Sequence, residues 1–185
     1  MNNPEYPHLI SDAAYRKCAD EAEQYRSRII FGGKGNPDTK KYAPTVIYPC
    51  RIDEPIVQHE LFSPLLPVVP YPDAKINALL KTVAEREHGL ALYLFTRDIK
   101  WAERVMQSQQ YGGGCINEVC LHLMVKGVPF GGTGHSGMGA YHGEWGFREF
   151  SHPSTVLYGR TIGNLSLREH PYTALKDKIL HMMEK

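Results

Sequence analysis

Apolar residues recur along this chain at helical spacing in some segments and as short runs in others. Ala14, Cys18, Ala22 and Tyr25 step by three and four behind Ser11, whose hydroxyl can accept from a first-turn N–H; this predicts an amphipathic helix running to about Arg26. Arg28–Phe31 is a short apolar run stopped by Gly32 and Gly33. After a polar, turn-rich stretch from Lys34 to Lys41, the β-branched run Pro44–Tyr48 predicts a second strand, and Pro64–Val69 a third. Ile76, Leu79, Leu80 and Val83 share one face of a helix over about 74–86. Leu90–Phe95 is continuously apolar, as a strand covered on both faces would be, and Asp98–Gln110 is helical again. Glycine then dominates from Tyr111 to Gly146, before a last strand over Phe150–Tyr158 and a polar helix from about Tyr172.

Strands alternating with helices predict an α/β fold, a mostly parallel sheet flanked by helices. With 185 residues and 42% hydrophobic content the chain can bury one core. A formal net charge of +1 leaves no electrostatic footprint for nucleic acid or an anionic membrane. No apolar run approaches the roughly 20 residues that span a bilayer, and the first residues are neither basic nor apolar. Four cysteines are too sparse for a disulfide framework, so reduced thiols and a cytoplasmic location are expected.

Candidate chemistry lies in two places. In His59–Pro64 a carboxylate, Glu60, and an aromatic ring, Phe62, stand two apart in a loop entering a strand. A carboxylate can accept two hydrogen bonds from a vicinal diol, and a ring offers a flat apolar surface. The plainer reading is an exposed glutamate beside a core phenylalanine. From Gly131 to Gly139 five of nine residues are glycine, and Gly132, Gly134 and Gly137 satisfy the G-x-G-x-x-G spacing. A dinucleotide fingerprint follows a buried strand and opens a regular helix, whereas this one runs on into Gly143 and Gly146, so a structural loop is the better reading. The spacing of His135, His142 and His152, and of Cys115 and Cys120, matches no zinc motif, and no metal is expected. Cys115 has no base near it in sequence and reads as a packing residue.

Taken together these segments resemble aldehyde dehydrogenases, and within them the class-3 branch. The most specific run is Gly-Met-Gly-Ala-Tyr-His-Gly at 137–143, followed by Phe150-Ser-His152. Supporting blocks stand in the family's order: Tyr42–Val46, His59–Val68, Leu90–Thr96, Gly113–Asn117 and Pro129–Gly132. The likeness extends from about Pro7 to Tyr172. Two positions depart from the usual pattern, His59 before Glu60 and Ser63 where glycine is common.

The resemblance implies NAD(P)+-dependent oxidation of an aldehyde to a carboxylic acid, with attack by a cysteine thiolate, hydride transfer and hydrolysis by a glutamate-activated water. It places the nucleophile, the general base and the cofactor domain upstream of this chain, so no catalytic residue is expected here and the chain alone is expected to be inactive. It implies that Glu60 holds the nicotinamide ribose of NAD or NADP and that Phe62 flanks the nicotinamide. Asn117, His122 and Phe130 would lie by the substrate funnel, supported by Met138–His142. Residues 1–149 would be a partial catalytic domain, 150–160 an oligomerisation strand, and 161–185 a tail with a helix. A homodimer, or association with a separate N-terminal half, would follow. The rival readings are a non-catalytic association module or remnant and, more remotely, a nucleotide binder built on Gly132, Gly134 and Gly137.

Overall fold

The computed structural model describes residues 3–159 and 169–183. The chain divides into two compact units, one formed by residues up to His88 with Asp98–Gln110, the other by Gly89–Arg97 with the chain from Tyr111 onward.

In the first unit, helix α1 (Asp12–Gln24) starts where the sequence places it: the Ser11 hydroxyl accepts from the Ala14 N–H at 3.1 Å. Strands β1 (Ile29–Phe31), β4 (Thr45–Ile47) and β5 (Leu65–Pro67) form one sheet in the order β1-β4-β5, with β4 antiparallel to β1 and parallel to β5. The polar stretch read as a turn is itself a small hairpin of β2 (Gly35–Asn36) and β3 (Lys41–Tyr42). Its loop is closed by Asn36, whose side-chain oxygen accepts from the N–H groups of Asp38 and Thr39 at 3.0 and 3.3 Å. Gly35 is required there, because a methyl group would overlap the Tyr15 hydroxyl and the Tyr42 ring. Helix α2 (Ile76–Ala84) follows a single 3-10 turn, two residues later than its periodicity predicts.

Ile47, fully buried, pairs with Ile29 on one side and Pro67 on the other and joins Cys18, Ala22, Ile56 and Leu65 in the core. Thr45 is the one buried polar residue of that sheet among the described residues. Its hydroxyl accepts from the Gly33 N–H at 2.8 Å and donates to the Ala43 carbonyl at 2.7 Å, so burial leaves it satisfied. Arg28 donates to the Pro49 carbonyl at 2.9 Å and to Glu54 at 2.8 Å, which holds the Glu54 carboxyl below its ordinary range. Helix α3 (Ile99–Ser108) is capped by Asp98, which accepts from the Trp101 N–H at 2.9 Å, and it buries Ala102 and Val105.

In the second unit β6 (Ala91–Leu94) runs parallel to β7 (Gly113–Ile116), with Tyr93 opposite Cys115. Among the described residues two of four strand pairings are thus parallel, in keeping with an α/β fold, and the strands lie in three small sheets. Three expectations fail here. Strand β6 is only half-buried over Leu92–Leu94 and exposed at Ala91, so its unbroken apolarity does not reflect cover on both faces among the described residues. The glycine-rich region contains β7, and despite Gly146 it also forms a short helix α4 (Glu144–Glu149), closed by Arg148 donating to Glu144 at 3.0 Å. Residues 151–159 form no strand, since no described segment offers them a ladder; Phe150 and Tyr158 are 91% and 90% exposed. Residues 160 and 161–168 of the expected oligomerisation strand and tail lie outside the described residues. Helix α5 (Ala174–Met183) ends the described chain, and no described helix is long and apolar enough to cross a membrane.

Two outcomes follow. Ile47→Ala truncates a fully buried side chain at the end of the central strand, and chemical denaturation is expected to show a loss of about 2–5 kcal/mol. Burial pushes the Cys18 thiol up to about 11 and raises that of Cys50, so iodoacetamide at neutral pH should leave both unlabelled until the chain is unfolded.

Candidate functional site

Each unit carries candidate residues of its own. In the first, the chain from the 3-10 turn Pro55–Val57 to β5 bears Glu60 and Phe62. His59 anchors this loop: Nδ1 lies 2.9 Å from the Pro55 carbonyl and Nε2 lies 3.0 Å from Glu21 on α1, so each ring nitrogen faces an oxygen acceptor. Arg86, just past α2, donates to the Val57 carbonyl at 3.3 Å and fixes the start of the same loop. Glu60 is exposed, and so is Phe62, by 81%. The plainer sequence reading of a core phenylalanine therefore fails. Phe62 also holds a backbone φ of +49°, where a Cβ is disfavoured by about 1–3 kcal/mol. Ser63, where glycine is common in the family the chain resembles, is not among the positive-φ residues; the left-handed position is Phe62. An exposed carboxylate and an exposed flat ring two residues apart, on a loop pinned at both ends, can receive a diol and a planar heterocycle together.

In the second unit, Asn117 stands at the end of β7 with φ +59°, a conformation its short polar side chain tolerates. Its side chain is engaged: Oδ1 accepts from the Thr96 N–H at 2.8 Å and Nδ2 donates to the Thr96 carbonyl at 2.9 Å. The chain then turns through Cys120, φ +62°, into one 3-10 turn (Leu121–Met124) that brings His122 back over β7. A methyl group on Gly113 would stand 2.7 Å from His122 Cδ2, so the ring lies against a strand position that must lack a side chain. His122 Nδ1 is 3.5 Å from Cys115 Sγ, and Nε2 is buried with no hydrogen-bond partner among the described residues.

Phe130 forms an isolated antiparallel bridge with Tyr141, at 3.0 and 2.9 Å. Its ring is 6.1 Å from His122, edge-on to Tyr141 at 5.4 Å and stacked on His142 at 5.7 Å. Tyr93 meets His122 edge-on at 5.7 Å. An aromatic cluster thus joins two of the expected funnel residues, His122 and Phe130, to Tyr93, Tyr141 and His142. Asn117 contributes by tying β7 to the end of β6. A cavity of about 500 Å³ adjoins Phe130 and is lined also by Leu90, Met138, Tyr141 and Glu149.

The glycine-rich segment packs main chain on main chain. Side chains at Gly131 or Gly132 would overlap the carbonyl oxygens of Gly139 and Ser136. Thr133 and Ser136 close the intervening turn, with the Ser136 hydroxyl accepting from the Thr133 N–H at 2.9 Å. Among the described residues no three His, Cys, Asp or Glu side chains gather as a metal site would require. Sequence reasoning did not associate Tyr93 or Cys115 with His122. The only available signal was the pairing of β6 with β7, which needs a strand inside a glycine-rich run that does not look like one.

Known proteins resemble this chain in sequence and in fold. The family model described as aldehyde dehydrogenase family matches residues 8–156. The chain is 38% identical over 157 residues to an aldehyde dehydrogenase of Craterostigma plantagineum, covering 85% of this chain and 32% of that protein. It is 37% identical over 164 residues to aldehyde dehydrogenase family 3 member H1 of Arabidopsis thaliana, covering 89% and 33%. The solved structure of the substrate-bound state of Staphylococcus aureus AldH superposes with a TM-score of 0.92 at 30% identity, over 100% of this chain and 40% of that one. A Mycobacterium tuberculosis aldehyde dehydrogenase complexed with NAD+ gives 0.72 at 25%, over 84% and 32%. The chain spans about a third of the length of the two sequence relatives. With the family match running through β1–β7 and both parts of the candidate site, the chain belongs to the aldehyde dehydrogenase family.

Proposed function

We propose that this chain supplies the cofactor-flanking loop and part of the substrate wall of an NAD- or NADP-dependent aldehyde dehydrogenase, which oxidises an aldehyde to its carboxylic acid. The observation that carries the reading is Phe62, a large ring kept exposed and left-handed beside an exposed carboxylate, an arrangement that costs stability and contributes nothing to the core. Glu60 would hold the nicotinamide ribose through its diol and Phe62 would flank the nicotinamide, so that a bound dinucleotide would supply the hydride acceptor there. His122 and Phe130 line the aldehyde's path, Asn117 holds the strand ends beside it, and Met138–His142 back the Phe130 wall. The thiolate nucleophile, the general base and the dinucleotide-binding domain are supplied by polypeptide outside these 185 residues. Cys18 and Cys50 are buried with raised thiols and do not fill the nucleophile's place.

The exposed apolar side chains of Phe150, Val156, Leu157 and Tyr158 favour a second element of the reading, association through residues 150–160 with another copy or with an N-terminal half. An association module without chemistry is the alternative that this surface supports.

The test mixes the purified chain with the N-terminal half of a related enzyme, following mass by light scattering and reduced dinucleotide formation on benzaldehyde. The chain alone should be silent, and the mixture should gain mass and activity together. Glu60→Gln should raise the KM for the dinucleotide about tenfold or more, as expected for a lost hydrogen bond to a charged group. Turnover by the chain alone, or an active mixture indifferent to Glu60→Gln, would sink the proposal; a mixture that gains mass without activity would favour the association module.

Phe62→Gly should separate stability from function. Thermal unfolding of the isolated chain should not shift downward, because a left-handed position is relieved, while dinucleotide binding by the assembled enzyme weakens. A clear drop in the chain's melting temperature would show that the ring is structural.

A further inference from the structure

Cys115 and His122 are seven residues apart in sequence, and the turn through Cys120 brings them into contact. The sulfur lies 3.5 Å from Nδ1, within reach of a thiol–imidazole hydrogen bond. The other ring nitrogen is buried and unpartnered among the described residues, so the sulfur is the ring's one polar contact. The ring's position is constrained from three sides, by Tyr93 at 5.7 Å, by Phe130 at 6.1 Å and by the bare Cα of Gly113. Cys115 is half-buried and sits on β7 directly opposite Tyr93 of β6. The chain's other partly accessible thiol, Cys120, is exposed and has the Tyr93 hydroxyl 3.7 Å away. Cys120 therefore serves as an internal comparison with greater access and no imidazole recorded against it.

We infer that Cys115 and His122 form a nucleophile–base pair, and that Cys115 is a covalent modification site for flat, uncharged α,β-unsaturated carbonyl compounds. As the sulfur attacks, its proton passes to His122 Nδ1 and a bond forms between Sγ and the β-carbon of the electrophile. The π pair of the carbon–carbon double bond moves to the α-carbon, which takes the proton from the imidazolium. The product is a thioether, and no oxidant or reductant is consumed. The class of electrophile follows from the surroundings: Tyr93, His122 and Phe130 are rings, so a planar conjugated molecule can lie against them, whereas a charged alkylating agent would lose hydration there. The pair shares the His122–Phe130 wall with the proposed aldehyde path, but its reactivity needs only the isolated chain and does not depend on dehydrogenase activity.

The test treats the folded 185-residue chain with a small excess of N-ethylmaleimide or cinnamaldehyde and maps the adducts by peptide mass. Cys115 is expected to react about tenfold or more faster than the more exposed Cys120, a modest fraction of what a positioned base can supply. Iodoacetate should lose that preference. His122→Phe keeps a ring between Tyr93 and Phe130 but removes the nitrogen; it should bring Cys115 down to the rate of Cys120 or below, with Cys120 unchanged. Labelling of buried Cys18 or Cys50 would report unfolding of the variant, and the order of Cys115 and Cys120 in the unaltered chain then decides alone. Cys120 reacting first, or Cys115 indifferent to loss of the imidazole in a folded variant, would overturn the assignment.

Discussion

The two hydrogen bonds between the Asn117 side chain and the backbone of Thr96 govern the second unit. Strands β6 and β7 have four residues each, so their parallel pairing has few ladder bonds of its own. The amide of Asn117 extends that ladder beyond its end by satisfying both groups of Thr96, and it fixes Tyr93 opposite Cys115. From that register the turn through Cys120 delivers His122 onto β7, and His122 in turn supports Phe130 and the rings behind it. A residue expected beside a substrate path thus acts as the joint on which that path is assembled.

Around this joint, and in the other unit at Phe62, the chain repeatedly places non-glycine residues in left-handed backbone. Phe62, Asn117, Cys120 and His142 have φ between +49° and +92°. Such positions are costly and persist only where neighbouring contacts hold them. Asn117 is held by Thr96 and His142 by stacking on Phe130. Phe62 has no comparable packing, being largely exposed, and is held through the backbone of a loop pinned at His59. Of the five such residues among the described ones, four lie in or beside the candidate segments, and the fifth is Lys40.

Much of the first unit was legible because its signals are local. Ser11 caps α1 and Asp98 caps α3, and the apolar positions of both helices recur at a spacing that points one face inward. The runs around Ile29, Val46 and Leu66 are β-branched or apolar and bounded by turn residues, so each strand was visible without its partners. The second unit resisted for the same physical reason. β7 is Gly113-Gly-Cys-Ile116, half glycine, and is specified by pairing and by the His122 ring it accommodates rather than by propensity. Helix α4 forms despite Gly146; Arg148 bridges to Glu144 along it, an exposed pair that adds only about 0.3–0.5 kcal/mol. The reverse error occurred at Phe150–Tyr158, where strand-like residues have no described ladder to join. For the site, Glu60 and Phe62 could be named from the family pattern, but the Cys115–His122 contact depends on a turn that no spacing rule describes.

The bare Cα of Gly113 gives that contact an unusual sensitivity. The His122 ring rests where any side chain at 113 would stand, so the smallest possible change, one added methyl group, would push the ring aside without altering the charge or backbone hydrogen-bonding potential of the strand. Two sister chains differing only there could share a fold, a stability and a family pattern and yet differ in whether one thiol is chemically quiet. In that sense the strand encodes a chemical trait by omission, and a survey that counts only which reactive residues are present would score the two as the same.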